Sequence, residues 1–181
     1  MNSKSMSLRI RQLVFAALCL GLCMVLPFLT GQIPQIGSVL SPMHIPVLMC
    51  GFICGWYYGG IIGFIAPLLR FLLFGMPPLY PVGIAMAFEL AVYGLTTGLL
   101  YKLMPKKIPF IYCNLIISML FGRVIWGIAR VLMSTFSDAE FSMTMFMSGA
   151  FINAVPAIIL HIVLIPIIII GLQKARLMAN E

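Results

Sequence analysis

Four ionisable residues, Arg70, Glu89, Arg123 and Arg130, fall within or near the ends of long apolar runs, and they are the side chains best placed to do chemistry. Arg123, Trp126, Gly127 and Arg130 stand at spacings of three, four and seven. On a helix those spacings put two guanidinium groups and an indole on one face, beside a glycine gap. Such a face suits a planar or anionic ligand, because guanidinium groups grip carboxylates bidentately and stack on flat rings. An ionisable group in a bilayer core costs roughly 2.5–3.5 kcal/mol or more, so it ordinarily faces a partner or a cavity. The other eleven of the fifteen charged residues lie at the termini or in short connections.

Each of these residues also has a plainer reading. Arg70 and Arg130 can snorkel to headgroups from helix ends. Arg123 lies too deep for that, and its structural alternative is an ion pair with Glu89. Asn153 can serve as an interhelical hydrogen bond. His161, read as lying in the inner half of the last helix, is expected to be packed. His44, after Pro42, is expected to cap a helix or sit at an interface. The five cysteines, Cys19, Cys23, Cys50, Cys54 and Cys113, read as small packing hydrophobes, since no His or carboxylate stands near them in sequence to complete a metal site.

No catalytic set emerges. The chain has no His-Glu-x-x-His, no Gly-x-Ser-x-Gly and no second carboxylate in its apolar regions to pair with Glu89. A phosphate-binding loop is missing too, so this chain is not expected to hydrolyse ATP, and energy for concentrating a solute would come from a partner or an ion gradient. No enzyme activity and no cofactor are expected.

The elements that position these residues are apolar helices. The chain is 62% hydrophobic and 8% charged, with a mean hydropathy of +1.14. A soluble domain carries about 25% charged residues. The net charge of +7 comes from residues flanking apolar segments, which is the positive-inside pattern of a membrane protein and not a nucleic-acid surface. Helices are expected over residues 11–29, 44–54, a third from the break that follows to residue 74, then 82–101, 109–135 and 143–172. The run 44–74 would reach roughly 46 Å as one helix, too long for a ~30 Å bilayer core, so it is divided at residues 55–60. The first apolar run exceeds a signal-peptide core and is expected to be retained. Residues 31–38 and 75–81 are connections, the latter stiffened by three prolines. Pro156 and Pro166 are expected to kink the last helix. Alternating the connections places the eight basic residues outside the apolar runs on one side and the loop acids Asp138 and Glu140 on the other.

The expected fold is therefore an all-α membrane protein. It is a bundle of six transmembrane helices with a short second helix, both termini cytoplasmic, in a single integral membrane domain over residues 1–181. Four spans plus a re-entrant hairpin is the alternative topology. With six spans, Arg70, Glu89 and Arg130 lie one or two turns below the outer ends of their helices, with Arg123 and Asn153 deeper. Small residues repeat at helix-packing spacing in two places, Ala17 with Gly21 and Gly59 with Gly63.

In this setting the chain resembles the substrate-specific S component of bacterial energy-coupling factor (ECF) vitamin transporters. The likeness rests on its size, its six short helices and the small residues of the first helix. It rests also on the block Met43-His44-Ile45-Pro46-Val47 and the Gly55, Gly59, Gly63 run leading to Arg70. The resemblance implies capture of one vitamin or precursor near the outer face, with residues 32–38 and 75–81 as lids. It places Glu89, Arg123, Trp126, Arg130, Asn153, Gln35 and Tyr80 around the substrate. It further implies docking of the first helix, through Ala16, Ala17 and Gly21, onto a membrane-embedded coupling subunit driven by two ATPase subunits. Three arginines against one glutamate favour a small carboxylate-bearing vitamin, with pantothenate as a candidate on charge grounds. A neutral ligand such as a deazapurine precursor is the other option. A non-transporting six-helix scaffold of a cell-envelope complex is the competing reading, and a stand-alone secondary transporter would need more spans or an inverted repeat.

Overall fold

The computed structural model describes residues 3–30, 40–135, 142–175 and 177–178, and these are helical, with no strand among them. Helix α1 covers Ser3–Val25 and runs on as a 3-10 turn, Leu26–Thr30. Helix α2 (His44–Cys54) is followed at once by α3 (Trp56–Phe74). A wide turn, Leu79–Gly83, leads into α4 (Ile84–Leu103), and α5 spans Ile108–Ser134. A short α6 (Met143–Met147) and a second wide turn, Ser148–Ile152, precede α7 (Val155–Lys174).

The run 44–74 is broken where expected. Gly55 adopts φ 92° and ψ 173°, a conformation that a side chain would resist, so the chain reverses there and helix resumes at Trp56. Gly75 ends α3 in the left-handed region at φ 70°, and the prolines that follow prevent continuation. The last apolar run departs from expectation. It is divided at Asn153–Ala154, and Pro156 occupies the first turn of α7 instead of kinking a longer helix, a position where its missing N–H is harmless. Only Pro166 lies inside the helix.

Among the described residues, five segments are long and apolar enough to cross a membrane: Leu8–Leu29, Trp56–Phe74, Leu79–Leu103, Ile108–Ser134 and Val155–Lys174. At 11 residues α2 would reach only about half-way across. Large apolar side chains such as Leu72, Leu132, Val163 and Ile167 are more than half exposed on the outside of the bundle. A surface of that kind is sheltered by lipid, not water.

Backbone contact between glycines sets the centre of the bundle. A Cβ on Gly59 would lie 2.5 Å from the Gly94 carbonyl oxygen, and one on Gly51 would lie 2.6 Å from the same atom. A Cβ on Gly63 would strike the Leu90 carbonyl, and one on Gly98 the Trp56 backbone. Helices α2, α3 and α4 thus meet backbone to backbone, which fixes their rotation and turns Glu89, Tyr93 and Thr97 inward. The Gly59–Gly63 pair is internal packing. On α1, by contrast, Ala16, Cys19 and Cys23 face the core while Ala17 and Gly21 are exposed, and nothing lies within 4 Å of a Cβ built on Gly21.

Candidate functional site

The end of the bundle at which α3 and α5 finish and α4 and α7 begin carries the polar residues singled out in the sequence. Glu89, a turn and a half into α4, is 2% exposed. Its Oε1 lies 3.0 Å from Nη1 of Arg123 on α5 and accepts a 3.0 Å hydrogen bond from the Tyr93 hydroxyl. The same oxygen is 3.5 Å from Nε2 of His44, the first residue of α2. The first side chain of α2 therefore faces the carboxylate. The His44 ring lies edge-on to Tyr93, centroids 5.4 Å apart, and stacks on His161 of α7 at 6.0 Å and 18°. Four helices thus bring Glu89, Arg123, Tyr93, His44 and His161 into one buried cluster. Several of its polar atoms have no hydrogen-bond partner: both ring nitrogens of His44, Nε2 of His161 and Nε of Arg123.

One and two turns further along α5, Trp126 and Arg130 are half-buried. The indole stacks on Phe146 of α6 at 6.3 Å and 26°. Gly127 lets this happen, because a Cβ there would strike the Phe146 ring. Tyr80 is exposed, and its hydroxyl donates to the Met133 carbonyl at 2.6 Å, tying the connection after α3 to the end of α5. Asn153 is exposed at the start of α7, its N–H donating to the Ser148 carbonyl at 2.8 Å. Because α7 begins only at Val155, Asn153 lies at the helix end and not in mid-membrane as expected. Gln35 and the 32–38 lid lie outside the described residues.

Of the two places expected for His44, a cap or an interface, the structure gives the second: Met43 holds the N-cap position without a side-chain hydrogen bond, and His44 is buried where α2 meets α4 and α7. Two other expectations change. His161 is within two turns of the start of α7, level with Glu89, because the helix starts later than its apolar run suggested. Arg70 does not snorkel. It is buried, donates from Nη1 to the Met24 carbonyl at 2.7 Å, and lies 5.2 Å from the centroids of both Phe28 and Phe74. That carbonyl is freed where α1 tightens into its 3-10 turn, so Arg70 clamps α1 to the end of α3. The one sequence signal pointing to His44 is the block 43–47.

Below the cluster a second polar ladder joins α4 to α5. Asn114 Nδ2 donates to the Thr97 carbonyl at 2.9 Å, and the Ser118 hydroxyl donates to Asn114 Oδ1 at 3.1 Å. Cys19, Cys23, Cys50 and Cys54 are free, buried thiols in the core shared by α1 and α2, while Cys113 is exposed. Among the described residues, no three His, Cys, Asp or Glu side chains gather closely enough to hold a metal ion.

Fold and site together define a multi-pass helical membrane protein with an ion-paired, histidine-flanked centre beneath one end of the bundle. Residues 11–170 match the family model for the substrate-specific component of ECF transporters, and the chain belongs to that family. No curated protein and no solved structure matches it. The protein is thus the substrate-specific component of a transporter, which takes a small-molecule substrate and works with the partners of an ECF module.

Proposed function

We propose that this S component captures a carboxylate-bearing vitamin or vitamin precursor at the outer face, with pantothenate the candidate that charge favours. Uptake is then driven by two ATPase subunits through a coupling subunit docked on α1. In this reading the protein lies in the cell membrane with both termini cytoplasmic, α2 completes a six-helix bundle, and the chain itself catalyses nothing and needs no cofactor. The observation that carries the reading is the alignment of Trp126 and Arg130 on α5 immediately outward of the buried Arg123–Glu89 pair. A ligand entering between Tyr80 and Asn153 would meet a flat indole and a guanidinium before reaching the pair. Ala17 and Gly21, exposed and free of bulk, supply the docking face, whereas Ala16 is turned into the core and supports α1 from behind. A scaffold would accommodate the Arg123–Glu89 pair equally well, but it gives no reason for unpartnered ring nitrogens around that pair.

Native mass spectrometry of the purified protein should reveal a retained small molecule. A panel of pantothenate, nicotinate and biotin, with pantothenol as a neutral control, then tests the carboxylate. Arg130→Gln should weaken the carboxylate that binds by about tenfold or more, the range of a charge-assisted hydrogen bond. Equal affinity for pantothenate and pantothenol would rule out the anionic ligand.

A further inference from the structure

We propose that the buried cluster reads the far end of the ligand, and that this end is an uncharged group able both to accept and to donate a hydrogen bond, such as a hydroxyl or an amide. The inference rests on the carboxylate reading above and deepens it, from a ligand with a carboxylate to one with two polar ends roughly 10 Å apart.

Fixed charge sets the first condition. Glu89 and Arg123 are in contact at 3.0 Å and neutralise each other. In the reading above Arg130 takes the ligand carboxylate, so both anions have their cation before the far end of the ligand is placed. A further charge at the cluster, of either sign, would be buried without compensation. That costs far more than an uncharged group whose hydrogen bonds are made.

Unused hydrogen-bonding atoms set the second condition. Glu89 engages only Nη1 of Arg123, and Nε, buried without a partner, has an N–H to donate. His161 gives one N–H to the Ser41 backbone carbonyl. Its Nε2 is the ring nitrogen without a partner, so the bond to Ser41 runs from Nδ1 and leaves a lone pair on Nε2. Nδ1 of His44, in the ring stacked on His161, is also buried without a partner. Donor and acceptor thus lie on side chains of one contiguous cluster. A hydroxyl or an amide answers both, whereas a methyl group leaves them stranded.

Length sets the third. Exposure falls inward along one face of α5: Arg130 and Trp126 are half-buried, Arg123 is 8% exposed, and His161 behind it is 1% exposed. Arg130 stands seven residues beyond Arg123, roughly 10 Å along the helix. A ligand whose carboxylate stays at Arg130 meets the cluster only if it is about that long. Pantothenate has eight bonds between its carboxyl carbon and its terminal hydroxyl oxygen, about 9–10 Å when extended, at the 3.3–3.6 Å that three chain bonds span. Biotin reaches comparably with its ureido group, and nicotinate, a single ring, falls well short.

The test is calorimetric titration of the full-length protein in nanodiscs at one pH, with carboxylates of matched length. Pantothenate is paired with N-(tert-butylacetyl)-β-alanine, the same chain without its two hydroxyls. Biotin is paired with octanoate, which ends in a methyl group. Suberate carries a second carboxylate at that end, and nicotinate is the short probe. Pantothenate or biotin should bind about tenfold or more tighter than its apolar-ended pair, with suberate and nicotinate weak. This comparison needs no variant. His161→Phe and His44→Phe keep the stacked rings and remove the nitrogens. Each should weaken the polar-ended ligand and hold the apolar-ended one, whose unchanged binding shows that the variant is folded. Equal affinity within the pair in the unaltered protein would overturn the proposal. So would a ratio that survives both substitutions, or suberate or nicotinate binding as tightly as pantothenate and biotin. If no carboxylate binds, or pantothenol binds as well as pantothenate, the carboxylate reading falls and this inference with it. If pantothenate outbinds pantothenol but not its own apolar-ended pair, the carboxylate reading stands and this inference alone falls.

Discussion

Glu89 and Arg70 show how the same exceptional residue type ends in different roles. Glu89 is held by Arg123, Tyr93 and His44, so truncating it strands a buried guanidinium. Glu89→Ala is expected to lower stability by about 3–5 kcal/mol, the usual penalty for breaking a buried pair from one side. Thermal unfolding in detergent micelles measures it, and Glu89→Gln should lose less because the amide still accepts from Arg123. Arg70 is a clamp, with its head on the Met24 carbonyl between two phenyl rings. Arg70→Met should cost about 1.5–3 kcal/mol, the worth of a hydrogen bond to a charged group, while ligand affinity in the same preparation stays unchanged. A loss of binding without a loss of stability would place Arg70 in the substrate site instead.

At the scale of elements, the packing of α2, α3 and α4 decides which face of α4 is turned inward, and glycines decide the packing. Gly94 lies so close to the Gly59 backbone that a methyl group has nowhere to go. Gly94→Ala should destabilise the protein by about 1–3 kcal/mol or more, since backbone cannot move aside as a side chain can. Gly60 provides the contrast, because its nearest contact for an added Cβ is an ordinary 3.5 Å to the Leu95 side chain. Gly60→Ala should leave the unfolding temperature unchanged or raise it, by up to ~1 kcal/mol of helix propensity. The short α2 matters in the same way. Because it starts at the level of Glu89, its first residue joins the cluster instead of reaching the end of the bundle.

For the whole molecule, the proposed substrate site lies at one end of the bundle and the proposed docking face along its side. Helix α1 keeps Ala16, Cys19 and Cys23 for the core and leaves Ala17 and Gly21 on its outer face. A bulky residue at Gly21 meets nothing within the chain. Gly21→Leu should therefore fold and bind ligand normally but fail to copurify with the coupling and ATPase subunits when all are expressed together. Undiminished copurification would move the docking face elsewhere.

Much of this was legible in the residues themselves. Apolar runs, their length and their Gly and Pro punctuation mark the membrane helices, because both lipid solubility and helix termination are local properties of the chain. The breaks at Gly55 and Gly75 and the shared face of Arg123, Trp126 and Arg130 follow from spacing alone. Where α7 begins was less legible: an apolar run continues through residues 143–172, and only the folded chain shows that it breaks at Asn153–Ala154. Partnership across the bundle was not legible at all. His44 meets Glu89 because close glycine contacts set how α2, α3 and α4 are rotated against one another, while Arg70 meets Met24 and His161 meets His44 where α1 and α7 pack onto that centre. Periodicity says which side chains share a face. Which face turns toward which neighbour is decided only when the helices pack, and that is where two histidines with no evident role became part of the charged centre.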